Sequence, residues 1–171
     1  VNLLIKGILL FILLVGIAAG INRWQNYDLK QHSYITSNDL NAAKWIKRNI
    51  SPESLFMINT FQIPINDYLI IGLDGGYWLP VIAERQTIVP PMVYFLEKKS
   101  DPFYAEKLRS FHLLGGEITN DEAISLFHKT GVDYIYIGDR GGVIKPETLM
   151  ESKRFRLIYS HKGVYIFTIE Y

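Results

Sequence analysis

The chain has 171 residues, of which 49% are hydrophobic, 13% aromatic and 20% charged. This is enough for one ordinary domain and a short additional segment, and it excludes a second full domain, a disordered chain and a fibrous repeat. The net charge is only +1 and no basic cluster occurs, so the sequence does not predict nucleic-acid binding. The absence of cysteine excludes disulfides, thiolate nucleophiles and thiolate metal sites.

The N-terminal segment is apolar over the length of a membrane. Lys6 is the only charged residue among the first 22, and the run GILLFILLVGIAAGI follows it. A helix needs about 20 apolar residues to cross a bilayer. Arg23, Trp24 and Tyr27 come next, and these residue types are enriched at the level of the lipid headgroups. We therefore predict a transmembrane helix over residues 1–24.

Two other interpretations of this segment remain open. In a cleaved signal peptide, Lys6 would supply the basic region, and Ile17, Ala18 and Ala19 would precede the cleavage site. A buried core helix is the second, although the segment has no polar face. The first residue is Val rather than Met, which suggests either a processed product or a piece of a longer protein. In a longer protein, this helix would be the last of several.

Residues 25–37 form a polar connector, and residues 38–171 have the pattern of a compact α/β domain. We expect a helix over 39–50, capped by Ser37 or Asn38. Its apolar face would contain Leu40, Ala43, Ile46 and Ile50. A buried strand over 55–59 and an apolar run of undetermined type over 68–73 follow, separated by a break at Pro64.

The remaining elements are predicted mainly from turn residues and from the apolar pattern. The Thr119 and Glu122 pair indicates a capping box for a helix that buries Ile124 and Phe127 and ends at Gly131. The predicted elements are a helical turn over 78–83, an edge strand over 87–89 closed by Pro90 and Pro91, a helix from Ser100 and Pro102 to 114, a helix over 120–130, a central strand over 132–137, a short helix over 146–152, and a hairpin of 155–159 with 164–169.

Strands that alternate with helices predict parallel pairing, and the final hairpin adds antiparallel strands. The predicted fold class is α/β. It has a mixed, mostly parallel sheet with flanking helices and a C-terminal β-hairpin, and one transmembrane helix precedes it.

Two stretches contain residues suited to ligand binding. The first runs from Asp74 through Gly75, Gly76 and Tyr77 to Trp78, with Arg85 beyond it, and the second contains Asp139 and Arg140. In a binding site, the aspartates would accept hydrogen bonds, the arginines would bind anions, and Tyr77 with Trp78 would stack on a sugar or a lipid headgroup. Aspartate followed by glycines is also typical of a tight turn, which is the favoured interpretation of 138–142 and an equal alternative for the first stretch.

Signatures of other chemistry are absent from the sequence. The four histidines do not have a spacing that suits a metal site, so we expect no metal ligands. Serine-elbow, Walker and dinucleotide-binding motifs are also missing.

The sequence nevertheless resembles a family of membrane enzymes. The resemblance is carried by Asp39, Ala43, Trp45, Ile46, Asn49 and Pro52, then by Asp74 to Pro80, and then by Ala83, Arg85, Thr87, Pro90 and Pro91. This series is similar to the last extracytoplasmic domain of polytopic GT-C-type glycosyltransferases, of which oligosaccharyltransferase catalytic subunits are distant relatives. Their Trp-Trp-Asp-Tyr-Gly motif corresponds to the region of Asp74, Gly75 and Tyr77, with Leu73 in place of the aromatic residue before Asp.

The resemblance implies a role in sugar transfer from a polyprenyl-phosphate-linked donor. The catalytic carboxylate of such enzymes lies in a loop between early membrane helices, so no catalytic residue is expected in this chain, which should be inactive alone. It implies no cofactor here and allows a divalent metal in the full-length enzyme. The expected partners are the lipid bilayer, membrane helices of the same protein, the lipid-linked sugar and the acceptor. The expected location is the cell membrane, with a single span and the soluble domain extracytoplasmic.

Two functions of other classes remain alternatives. One is a membrane-tethered or secreted module that binds a small ligand at the glycine-rich strand ends. The other is a free-standing hydrolase or transferase that uses Asp74 and Asp139 as a carboxylate pair, which requires the two groups to lie about 5 to 10 Å apart.

Overall fold

The computed structural model describes residues 2–26, 34–62, 70–89 and 104–171. The chain divides into two compact units, Val1–His32 and Ser33–Tyr171. The first contains helix α1 (Asn2–Gln25), whose side chains from Leu3 onward are all exposed. Its most apolar stretch of 18 residues has a mean hydropathy of 2.6, so α1 is long and apolar enough to cross a membrane, a character that signal sequences share.

The second unit is an α/β domain. Its strands in the described ranges are β1 (Leu55–Ile58), β2 (Thr60–Gln62), β3 (Ile70–Gly72), β4 (Gln86–Thr87), β5 (Val132–Ile137), β6 (Phe155–His161) and β7 (Val164–Ile169). Its helices there are α2 (Ser37–Asn49), α3 (Leu79–Ile82), α4 (Tyr104–Leu113), α5 (Asp121–Thr130) and α6 (Pro146–Glu151), with a 3₁₀ turn over Gly75–Trp78.

Five of these strands form a mixed sheet in the order β4-β1-β5-β7-β6. β1 pairs in parallel with both β4 and β5, whereas β7 runs antiparallel to β5 and to β6. The predicted fold class is therefore confirmed, including the central position of β5 and the C-terminal hairpin. β2 and β3 form a separate antiparallel pair, which accounts for part of the apolar run at 68–73.

The core of the domain lies between the sheet and its helices. α2 contacts β6 and β7, and α5 contacts β5. The largest fully buried side chains include Phe56, Phe111, Phe127, Tyr136 and Phe167. Burial of aromatic side chains of this size contributes a large part of the hydrophobic stabilisation of a domain.

The predicted start of α2 was wrong by one or two residues. Thr36 is the N-cap and forms a capping box with Asp39, whereas Ser37 and Asn38 already lie within the helix. An N-cap needs a non-helical backbone, and Thr36 has it, with φ −110° and ψ 171°. The predicted apolar face was also partly wrong, because Leu40 is exposed and Asp39 is buried.

The start of α5 needs the same correction. Asn120, not Thr119, is its N-cap and accepts a hydrogen bond from the Ala123 N–H. The helix ends at Gly131 as predicted, in the left-handed conformation with φ 72°. The predictions at Tyr27, Pro64, Pro90, Pro91, Ser100 and Pro102 lie outside the described residues.

Candidate functional site

Three segments meet at the carboxyl ends of the parallel strands β1 and β5. They are the start of α2, the loop that leads from β3 into the 3₁₀ turn, and the loop 138–144 after β5. The Gly138 N–H donates to Asp74 Oδ2 at 2.8 Å, which joins the two loops directly. Ligand sites of open α/β sheets commonly form at this edge.

Asp74 is fully buried and holds the first loop in place. Its Oδ1 accepts from the Gly76 N–H at 3.0 Å, so Asp74 caps the 3₁₀ turn. Its Oδ2 accepts from Asn59 Nδ2 at 3.0 Å as well as from Gly138. Burial raises the pKa of Asp74 from 3.8 to about 6, although the three donors oppose this shift.

Asp39 is a second buried carboxylate in the same cluster. Its Oδ1 accepts from the Tyr136 hydroxyl at 2.8 Å and from the Asp139 N–H at 3.1 Å. Its Oδ2 accepts from the N–H and the hydroxyl of Thr36 at 2.8 and 3.0 Å. Burial, together with the charges of Asp39 and Asp74, raises the pKa of Tyr136 well above 10, so its hydroxyl remains a donor.

The Asn59 side chain connects the loop that contains Asp74 with the loop 138–144. It is fully buried at the end of β1, and its Oδ1 accepts from the Ile144 N–H at 2.9 Å while its amide donates to Asp74. Sequence analysis missed Asn59, because a single amide after a strand has no recognisable pattern. Asp39 was named among the residues that carry the family resemblance, and nothing local in the sequence indicates that it reaches β5.

The fit between these segments requires glycine at two positions. A Cβ atom at Gly75 would lie 2.3 Å from Asp39 Cγ, and one at Gly138 would lie 2.9 Å from Asp39 Oδ1 and from the Gly75 nitrogen. Real Cβ contacts are essentially never shorter than 3.0 Å. The glycines of both predicted stretches therefore let the backbone of each loop approach the Asp39 carboxylate.

Trp78 is the exposed side chain of the first loop. Asp74, Gly75, Gly76 and Tyr77 are all buried, whereas the Trp78 side chain is 39% exposed. The Tyr77 and Trp78 rings meet edge-on with their centroids 6.1 Å apart. The loop is held in place by the hydrogen bonds of Asp74, and it exposes the ring of Trp78 to solvent.

Arg85 lies at the opposite end of α2 from Asp39. Its buried guanidinium donates to the carbonyl oxygens of Ile50, Ala83 and Lys47 at 2.6 to 3.1 Å. It also donates to the carbonyl of Glu84 at 3.2 Å. The bonds to Lys47 and Ile50 satisfy carbonyls at the C-terminal end of α2, and those to Ala83 and Glu84 satisfy carbonyls that follow α3. None of these four residues lies in the loop that contains Asp74.

The two candidates of the second stretch lie beside the cluster. Asp139 Oδ2 accepts from Asn38 Nδ2 at 2.9 Å, and the Arg140 guanidinium carbon lies 4.8 Å from the centre of the Tyr34 ring. The negative charge of Asp39 is one of the causes that raise the pKa of Asp74. The buried carboxylate pair is thus Asp39 with Asp74.

The bonding of this pair limits its chemistry. Each of the four carboxylate oxygens already accepts at least one hydrogen bond from a neutral donor. A substrate or a proton acceptor would have to displace these donors from a buried position. The arrangement is suited to fixing two loops in register.

No protein-family model matches this chain, and no curated protein matches it. One solved structure that is similar is the C-terminal globular domain of an oligosaccharyltransferase from Archaeoglobus fulgidus. The similarity covers 79% of this chain and 98% of that domain, with 14% sequence identity and a TM-score of 0.45.

The described ranges contain no group of three or more His, Asp or Glu side chains that could hold a metal ion. An open groove of about 450 Å³ lies between α4 and α5, lined by residues such as Ser110, Leu113, Glu117 and Lys129. This groove is separate from the residues of the Asp39 and Asp74 cluster.

Proposed function

We propose that this chain is the non-catalytic C-terminal extracytoplasmic domain of an integral-membrane glycosyltransferase that uses a polyprenyl-phosphate-linked sugar. In this role it covers the mouth of the active site and helps to bind the acceptor. The observation that carries the proposal is how the loop of residues 73–78, the Asp74 loop, is held. Asp74 bonds this loop to Gly138 and Asn59, and the buried Asp39 lies against its Gly75. The loop belongs to the stretch that resembles the family, and Trp78 is exposed on it.

A fixed loop with one exposed aromatic ring is suited to binding rather than to catalysis. A tryptophan ring offers a flat apolar surface for a sugar or an acceptor group, and the ordering cost has been met before the ligand arrives. Rigid support of this kind is what a positioning surface needs. Trp78 is therefore the residue that we expect to contact the acceptor, with Asp39 and Asp74 supporting it.

The same contacts support a non-catalytic role for the chain. General acid or base catalysis needs a carboxyl group within hydrogen-bonding reach of the substrate. Asp39 and Asp74 are buried and bonded, which favours structural support over the carboxylate-pair alternative. We expect the catalytic carboxylate in a loop between early membrane helices of the full-length protein, and the donor cavity among those helices.

The proposed membrane location is supported by the character of α1. All its described side chains are exposed, and its apolar surface continues around the whole helix. Such a surface is stable in lipid and costly in water. The bilayer and the other membrane helices of the full-length protein are accordingly the proposed partners of α1.

The first test is Trp78→Ala in the full-length protein. Loss of one aromatic contact of about 1 kcal/mol should raise the KM for the acceptor roughly five-fold and leave the KM for the lipid-linked donor unchanged. The assay is sugar transfer by the reconstituted protein at varied concentrations of acceptor and donor.

Val81→Ala is the matched control, because Val81 is 61% exposed one turn further along the chain. It should leave both constants unchanged. Transfer that is equally efficient in the Trp78 variant would refute the acceptor contact. The absence of any transfer by the full-length protein would favour the membrane-tethered binding module instead.

A further inference from the structure

A basic surface lies beside the buried cluster, at the tip of the β6–β7 hairpin. We call it the Arg140 surface, and it consists of Tyr34, Asn38, Asp139, Arg140 and Lys162. Asn38 Nδ2 joins its parts, because it donates to Asp139 Oδ2 at 2.9 Å and to the Lys162 carbonyl at 3.3 Å. The start of α2, the loop after β5 and the hairpin tip thereby form one continuous surface.

The charges of this surface are unequally exposed. The acidic residue, Asp139, is bonded to Asn38, and the hairpin tip approaches it so closely that a Cβ atom at Gly163 would lie 3.0 Å from Asp139 Oδ1. Arg140 and Lys162 are both exposed. Within the Arg140 surface, the two most exposed charges are therefore positive, and the negative charge is half-buried.

Arg140 is combined with an exposed aromatic ring. Its guanidinium carbon lies 4.8 Å from the centre of the Tyr34 ring, within the range of a cation–π contact, and Tyr34 is 46% exposed. Arginine, lysine and tyrosine are the residue types that anchor proteins at the lipid headgroups.

We propose that the Arg140 surface binds the anionic phospholipid headgroups of the bilayer in which α1 is embedded. This inference rests on the membrane location in the proposed function, but on none of its sugar chemistry. Two cations near an anionic lipid surface should favour the bound state of the domain by roughly 30-fold over its state on a neutral bilayer. The attraction should weaken as salt concentration rises.

The absence of native cysteine allows a direct test with the whole chain. Ser160→Cys introduces one thiol at an exposed position of β6 beside the hairpin tip, for labelling with an environment-sensitive fluorophore. The labelled chain is placed in nanodiscs of phosphatidylcholine, with and without about 30% phosphatidylglycerol. We expect emission to shift to the blue in the anionic discs and to return towards its original value in high salt.

Two double variants test whether the shift depends on the Arg140 surface or only on the total charge of the chain. Arg140→Gln with Lys162→Gln should abolish the shift. Lys129→Gln with Lys153→Gln removes the same charge from exposed positions next to the starts of β5 and β6, at the opposite end of these strands. This variant should preserve the shift.

Equal emission in the two lipids, or an equal loss of the shift in both double variants, would overturn the inference and leave the proposed function intact. Failure of the chain to co-elute with nanodiscs of either composition would contradict the membrane location, and with it both proposals. Co-elution is measured separately from emission, so the two failures are distinguishable.

Discussion

Asp39→Ala should lower the free energy of unfolding by about 3 kcal/mol or more. Its carboxylate accepts four hydrogen bonds, among them those from the buried Tyr136 hydroxyl and the Asp139 N–H. The substitution leaves these donors without an acceptor and opens a polar void between the two loops. Denaturant unfolding of the chain in detergent micelles, followed by tryptophan fluorescence, measures the loss.

Asp133→Ala is the matched control for this substitution. The Asp133 carboxylate also accepts a backbone N–H from another strand, that of Leu55 at 3.0 Å, but Asp133 is exposed. Because water replaces a lost acceptor at the surface, its loss should cost less than about 1 kcal/mol. Asp39→Asn, which keeps one acceptor oxygen, should fall between the two. Equal losses for the Asp39 and Asp133 alanine variants would contradict a supporting role for the buried cluster.

The stability of the domain should also depend on the ionisation of Asp74. Its pKa in the folded state is raised to about 6 from 3.8, so ionisation opposes folding. The protonated Asp74 side chain contributes its full stabilisation below about pH 4. This contribution is lost as the pH rises through about 6, and the free energy of unfolding falls by about 3 kcal/mol in total. We expect this decrease when unfolding is measured from pH 4 to pH 8.

A second group opposes this dependence. Burial lowers the pKa of His112, whose Nδ1 lies 2.9 Å from Thr60 Oγ1, so this residue destabilises the fold as the pH falls below about 6.5. The comparison of wild type with Asp74→Asn isolates the contribution of Asp74. The asparagine variant should be less stable at low pH, because its NH2 group faces donors, and should lack the decrease between pH 4 and 6. An unchanged pH dependence in this variant would contradict a buried, titrating Asp74.

The elements that were predicted most accurately have strong local signals. The strand Val132–Ile137 combines β-branched and aromatic residues and follows Gly131, which ends a helix in the left-handed conformation. The hairpin of β6 and β7 turns through Lys162 and Gly163, both with positive φ. In these segments, the turn residues and the apolar pattern indicate the same element boundaries, so the sequence pattern is sufficient to predict them.

The helix starts were less well predicted because several capping residues compete. Thr36, Ser37 and Asn38 are all good caps by type, and only the backbone conformation selects Thr36. The same holds for Thr119 and Asn120 at the start of α5. β2 and β3 pair with each other and not with the main sheet, and β propensity alone does not specify which strands pair.

The residues around the candidate site show why long-range contacts escape sequence analysis. Asp39 and Tyr136 are separated by 97 positions, and the sequence has no pattern that pairs them. Arg85 has the chemistry of an anion-binding group, but in the folded chain its guanidinium donates to backbone carbonyls at the end of α2 and to those of Ala83 and Glu84. Only the tertiary structure distinguishes a free arginine from one that satisfies a helix end.

Both proposals depend on the residence of α1 in lipid, which membrane extraction tests most directly. Cells that express the chain are lysed, and the membrane fraction is washed with alkaline carbonate, which strips proteins held only by charge or by another protein. We predict that the chain stays in the membrane pellet with Leu3–Gln25 still attached, and that detergent releases it. Recovery of the intact chain in the aqueous wash, or of a product cleaved after α1, would contradict the account.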